Sequence, residues 1–145
     1  MTAPPKWVAV AFLVVSFLGF VDSVYLAARH YLGGPLNCTI SEGCDKVAAS
    51  AYAVMFGLPL GVWGALYYVA IFLSVIAYLD TKKDWVYLWA AGATSIGFLF
   101  SLWFVYLQIY VIEAICQYCM FSAATSTILF ILGVMVLKGA RHKPL

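Results

Sequence analysis

Charge is scarce in this sequence. Of 145 residues, 8 are Lys or Arg and 6 are Asp or Glu, 10% in all, where an ordinary soluble domain carries roughly 25%. A formal net charge of +2, on scattered carriers, excludes a nucleic-acid partner bound through phosphate neutralisation. Internal repeats, low-complexity tracts and long linkers are missing too, which argues against repeat arrays and for one compact unit. Cysteine is sparse, at four residues, and histidine sparser, at two. What the chain does have is apolar surface, with 66% of residues hydrophobic. A core of this size cannot hide that proportion, so lipid must be the solvent for much of it.

Four runs are long enough to cross a hydrocarbon layer of ~30 Å at ~1.5 Å per helical residue. They lie near 7–29, 59–79, 85–112 and 115–137. The first resembles a secretory signal, with Lys6 before it and Ala27-Ala28 near its end. Its apolar run is longer than a signal core of roughly 7–15 residues, so it is expected to be retained. In the third, Gly92 and Gly97 are expected to offer small surfaces to a neighbouring helix. Trp7, Trp85, Tyr87 and Trp89 sit near helix ends, as interfacial aromatics do.

In an up-down-up-down bundle, Lys6, Lys82, Lys83, Lys138, Arg141 and Lys143 fall on one side and only Arg29 and Lys46 on the other. The positive-inside rule then puts both termini and the Asp80 to Asp84 turn in the cytoplasm, and the loop from His30 to Leu58 and the junction near Glu113 outside. Within that loop, Asp45 to Met55 reads as a short surface helix with Asp45 as N-cap. Gly57 then punctuates and Pro59 opens the next helix. The expected fold is an all-α membrane protein of a single domain over 1–145. It is a four-transmembrane-helix bundle with an extracytoplasmic loop and a short surface helix between helices 1 and 2.

That topology uses no cysteine position, yet it places all four cysteines on the outer side. Cys38 and Cys44 lie in the loop, and Cys116 and Cys119 form Cys-Gln-Tyr-Cys at the start of the fourth helix. Each pair is locally closable. Disulfide relay needs an attacking thiolate, a resolving thiol and an electron sink. Cys-x-x-Cys supplies the first two, and the exposed N–H groups of a helix start stabilise a thiolate, against the nearby Glu113. A lipid-soluble quinone entering between helices would be the sink. Two other readings stand beside this one. The cysteines are also consistent with structural staples in an oxidising compartment. A four-cysteine zinc site is the other, although the five-residue gap exceeds the usual knuckle spacing. No metal site is expected.

The run Asn37-Cys38-Thr39-Ile40-Ser41-Glu42-Gly43-Cys44-Asp45-Lys46-Val47, then Ser50, Tyr52, Gly57-Leu58-Pro59 and Trp63-Gly64, resembles the loop and second helix of the vitamin K epoxide reductase family. Cys116 to Cys119 is similar to its second motif, and the resemblance runs in order through nearly the whole chain. It implies a membrane thiol:quinone oxidoreductase supporting disulfide-bond formation, with reduction of vitamin K quinone or its epoxide within the family's range. It also implies roles. Cys116 and Cys119 are the active pair, with Cys119 beside the quinone. Cys38 and Cys44 are the shuttle pair, Cys44 passing electrons to Cys116 and Cys38 meeting the external thiol partner. Ser50 matches a loop serine of the family that orients or covers the site.

Two departures qualify the resemblance. Vertebrate members have a Tyr four residues after the second active-site Cys, where this chain has Ala123, so their quinone contact does not carry over. The five-residue shuttle gap is similar to the prokaryotic form, whose members are found in the cell membrane. Some bacterial relatives carry a fused thioredoxin-like domain, whereas this sequence stops at Leu145. The expected partner is therefore a separate extracytoplasmic thioredoxin-like protein, and the acceptor a menaquinone, ubiquinone or vitamin K type quinone.

Asp22 inside the first helix and His30 at its outer end have more ordinary roles as a paired carboxyl and a solvated imidazole than as proton relays. Tyr67, Tyr68, Trp103, Tyr106, Gln108 and Tyr110 provide aromatic and polar groups within the bundle on which a quinone ring could stack, but aromatics in such a composition are more often packing or lipid-facing, and none is assigned to a pocket. Ser122 lies near the quinone by position, one turn from Cys119. The rival from another class is a membrane transporter or assembly subunit whose cysteines are staples or metal ligands.

Overall fold

A computed structural model describes residues 6–32, 54–113 and 117–141. Helix α1 spans Lys6–Leu32, α2 Leu60–Thr81, α3 Asp84–Tyr106 and α4 Gln117–Arg141. A π-helical turn, Leu107–Val111, continues α3. All four helices are long and apolar enough to cross a membrane. At ~1.5 Å per residue, α1 and α3 with its π-turn run to about 40 Å, beyond the ~30 Å hydrocarbon layer.

The side chains divide as in a protein whose outer face meets lipid rather than water. Trp7, Val10, Phe17, Leu73, Ile96, Leu99 and Ile131 are exposed, while Val8, Phe12, Ile71, Val75, Tyr87, Ala91, Leu129 and Val136 form a buried core. That core joins the start of α1, the end of α2, the start of α3 and the end of α4. Tyr87 sits at its centre, edge-on to Phe12 at 5.7 Å and to Tyr78 at 4.4 Å between ring centroids. The opposite helix ends meet in a second cluster containing Leu26, Leu107, Ile112 and Cys119. Neighbouring helices therefore run antiparallel. Lys6, Lys82, Lys83 and Lys138 flank one end of the bundle and Cys119 lies at the other.

Two close approaches hold α1 and α2 together toward the Cys119 end. A Cβ on Gly61 would lie 2.6 Å from the Ala27 nitrogen and 2.7 Å from the Ser23 carbonyl oxygen, and one on Gly64 would lie 2.7 Å from Ser23 Oγ. Only glycine lets α2 come this close to α1. In α3, Gly97 receives the Tyr67 ring, as expected of a small residue at a helix contact, but Gly92 faces open space with nothing within 4 Å of its Cβ position. The expectation of a second approach at Gly92 fails because that residue lies on the outward side of α3.

The segment before α2 also differs from expectation. Val54 and Met55 are not the end of a surface helix. They pair with Pro59 and Leu58 in a two-residue hairpin, strands β1 (Val54–Met55) and β2 (Leu58–Pro59). Phe56 and Gly57 take φ of 53° and 80° at the turn, as a type I′ hairpin requires of both central residues. Trp63 Nε1 donates to the Met55 carbonyl at 2.9 Å and its ring packs edge-on to Phe56 at 6.2 Å, which binds the hairpin to the first turn of α2. Asp45 and the remainder of the expected surface helix lie outside the described residues.

Candidate functional site

Cys119 is in the first turn of α4 and half-buried. At that position the backbone N–H groups of the turn have no intrahelical acceptor, so the helix presents donors and the positive end of its dipole to a developing thiolate. The wall around it is apolar. Leu107 and Ile112, both buried, form the patch against which Tyr25, Leu26, Phe104, Tyr118 and Cys119 pack. Tyr25 and Tyr118 meet with ring centroids 5.0 Å apart, and the Arg29 guanidinium lies 5.5 Å over the Tyr25 ring. The site thus sets a guanidinium at the helix ends beside an apolar patch, against which a thiol and an apolar acceptor can meet.

One turn deeper the environment becomes polar and tightly bonded. The Tyr68 hydroxyl lies 2.8 Å from the Ser122 carbonyl oxygen, to which it donates, 3.0 Å from Ser122 Oγ and 2.8 Å from Thr125 Oγ1. Thr125 Oγ1 also donates to the Ser122 carbonyl at 2.8 Å. The Tyr68 ring passes over Gly19, which has no side chain to obstruct it. Ser122, expected near the quinone by position, is therefore part of the tie between α2 and α4 beneath Cys119. Ala123 is half-buried and brings no polar group.

The six residues read as interior aromatic and polar groups separate into two classes. Tyr68 and Gln108 are buried, and Tyr67 is half-buried against Gly97. Trp103, Tyr106 and Tyr110 instead face outward, 55%, 50% and 69% exposed, as a ladder with centroid separations of 6.0 and 5.2 Å. These three take the lipid-facing role rather than a place within the bundle, because the period of α3 sends them to its outward side. Asp22 is buried on the inner face of α1, beside Ser23.

Cys38, Cys44, Ser50 and Cys116 lie outside the described residues, as does the His30 side chain. Cys119 is the one sequence-assigned cysteine with a described environment. Sequence reasoning did not single out Tyr25, Leu26, Leu107 and Ile112, whose apolar character is shared by two-thirds of the chain. Nor did it find the π-turn, in which the Ile112 N–H bonds the Leu107 carbonyl at 2.7 Å.

The model of the Vitamin K epoxide reductase family matches residues 10–134, from the first helix to the last and including every cysteine. Taken with four membrane-length helices and a Cys-x-x-Cys whose second cysteine lies in the first turn of α4 against an apolar patch, the match identifies an integral membrane oxidoreductase, and the chain belongs to the vitamin K epoxide reductase family.

Proposed function

We propose that this protein oxidises an extracytoplasmic thioredoxin-like partner and passes the electrons through two cysteine pairs to a membrane quinone, so that exported proteins acquire disulfides. The observation that carries the reading is the position of Cys119, in the first turn of α4 and against the apolar patch of Leu107 and Ile112. The lysine-flanked end of the bundle lies opposite. The positive-inside rule then assigns Cys119 to the outer side, with both termini cytoplasmic, in the cell membrane of a prokaryote.

The steps follow thiol–disulfide chemistry. A partner thiolate attacks Cys38 of the Cys38–Cys44 disulfide, and the partner's second thiol resolves the mixed disulfide, leaving both loop cysteines reduced. Cys44 then attacks Cys116 of the Cys116–Cys119 disulfide, and Cys119 leaves as the thiolate. Cys38 resolves the second mixed disulfide and Cys116 is freed. Cys116 and Cys119 return to the disulfide as Cys119 delivers two electrons to the quinone, the reaction's substrate, whose two oxygens take up two protons. Ser50 orients or covers the site. Each acceptor need be only slightly more oxidising than its donor, since ~30 mV per two-electron step is worth ~1.4 kcal/mol. The apolar patch supports the last step because a quinone ring entering sideways from lipid meets Leu107, Ile112, Leu26 and Phe104 rather than water.

The test is anaerobic quinone reduction by the purified protein in detergent, driven by a reduced thioredoxin-like protein or a dithiol, for wild type and Cys119→Ala. Partner-driven reduction in the wild type, lost to background in the variant, is expected. Equal background rates in both would leave the transporter or assembly-subunit reading standing.

A further inference from the structure

Arg29 stands apart from the other cations of the chain. Lys6, Lys82, Lys83 and Lys138 flank the far end of the bundle, and among the described residues Arg29 is the one Lys or Arg at the Cys119 end. It is half-buried there. The tilt of helical side chains toward the N-terminus carries it back over residue 25, one turn earlier, and its guanidinium lies 5.5 Å from the centroid of the Tyr25 ring. The Tyr25 ring in turn meets the Tyr118 ring at 5.0 Å between centroids. Tyr118 directly precedes Cys119 in Cys-Gln-Tyr-Cys, and both tyrosines pack with Cys119 on the patch of Leu107 and Ile112. A cation and two rings therefore form one chain of contacts from α1 to the residue beside Cys119.

This chain of contacts has two physical effects. It ties the turn that carries Cys119 to α1, so that the helix start cannot rotate away from the patch without breaking the stack. It also seats a positive charge, half out of water on an aromatic face, beside a helix start that already presents the positive end of its dipole. Little opposes that charge nearby. The first turn of α4 has no acidic residue, and α2 opens on Leu60, Gly61 and Val62. Glu113 at the end of the π-turn is exposed, and Asp22 lies about two turns deeper on α1.

The charge matters at one step of the relay. Cys44 Sγ bonds to Cys116 Sγ as the Cys116–Cys119 bond breaks, and the electron pair of the broken bond leaves on Cys119 Sγ. A positive potential favours a thiolate there, and whatever stabilises the reduced form of a cysteine pair makes its disulfide more oxidising.

We propose that Arg29, acting through the Tyr25–Tyr118 stack, is a positioning residue that stabilises the Cys119 thiolate and makes the Cys116–Cys119 pair a stronger oxidant. This rests on the thiol:quinone reading above, in which that pair is redox-active.

The test is the equilibrium of the pair with a glutathione buffer at pH 7, read by alkylation of free thiols, which involves no quinone. Full-length protein carrying Cys38→Ser and Cys44→Ser isolates the pair. Arg29→Gln, which removes the charge, should shift the equilibrium toward the disulfide about five- to tenfold, a tenfold shift being ~30 mV for a two-electron couple. Arg29→Lys, which keeps the charge, should stay close to wild type, and Tyr25→Leu, which removes the ring that seats the guanidinium, should shift in the same direction as Arg29→Gln. A merely structural role would lower the unfolding midpoint of Arg29→Gln and leave the equilibrium where it was, which overturns the proposal. An equal shift in Arg29→Lys, or a wild-type equilibrium in Tyr25→Leu, overturns it as well, and each of these results leaves the thiol:quinone reading intact. A shift in Arg29→Gln that Arg29→Lys restores, in a protein that does not reduce quinone, supports the role of Arg29 and counts against the reaction.

Discussion

Tyr68 ties α2 to both α1 and α4 near Cys119. Its ring fills the space left by Gly19 of α1, and its hydroxyl binds Ser122 and Thr125 of α4. Tyr68→Phe keeps the ring and removes these bonds, leaving Thr125 with only its intrahelical bond to the Ser122 carbonyl. It should cost about 1–2 kcal/mol, seen as a lower midpoint of thermal unfolding in detergent, and an unchanged midpoint would deny the tie any role. Residues differ sharply in how legible they are in sequence. Cys119 declares itself through its spacing from Cys116 and its place at the start of an apolar run. Tyr25, Leu107 and Ile112 do not, since in a chain 66% hydrophobic an apolar side chain in the core and one facing lipid look alike. Trp103, Tyr106 and Tyr110 show the same difficulty, for aromatic character suits both packing and a lipid-facing role, and only their place on α3 decides for the outside.

At the scale of elements, hydropathy alone locates four helices, because the hydrocarbon layer sets a minimum length and the backbone must satisfy its own hydrogen bonds there. It cannot say how those helices touch. Gly61 and Gly92 are equivalent as glycines in sequence and opposite in the structure. Gly61→Val drives side-chain atoms into the α1 backbone and should destabilise by about 2–3 kcal/mol or prevent folding. Gly92→Ala meets nothing within 4 Å and should be neutral or gain about 0.5 kcal/mol from the reduced freedom of the unfolded chain. Thermal unfolding of the two variants in one detergent decides the contrast. The π-turn is equally silent in sequence, since an extra residue in one turn leaves composition unchanged. The hairpin at Phe56–Gly57 is illegible in sequence because the run through Met55 reads as helix, and two residues of strand are too few for a period to register.

For the molecule as a whole, the asymmetry between the two ends is the feature that links fold to function. One end gathers Lys6, Lys82, Lys83 and Lys138, and the other holds Cys119 with Arg29 over Tyr25. If the lysine end is cytoplasmic, a membrane-impermeant maleimide should label reduced protein from the outer face of intact cells, and substitution of all four cysteines should abolish the labelling. Labelling confined to inverted vesicles would reverse the orientation. Thiols outside and a quinone within the bilayer are what a relay from exported proteins to membrane electron carriers needs. The most direct test of that relay is a single anaerobic turnover. Purified protein is fully reduced, freed of reductant and mixed with a limiting amount of quinone, while quinol and remaining thiols are counted together. The predicted result is quinol formed at the expense of two thiols each, as a two-electron couple requires, with no quinol from Cys119→Ala. Thiols that stay reduced while quinone stays oxidised in the wild type would contradict it.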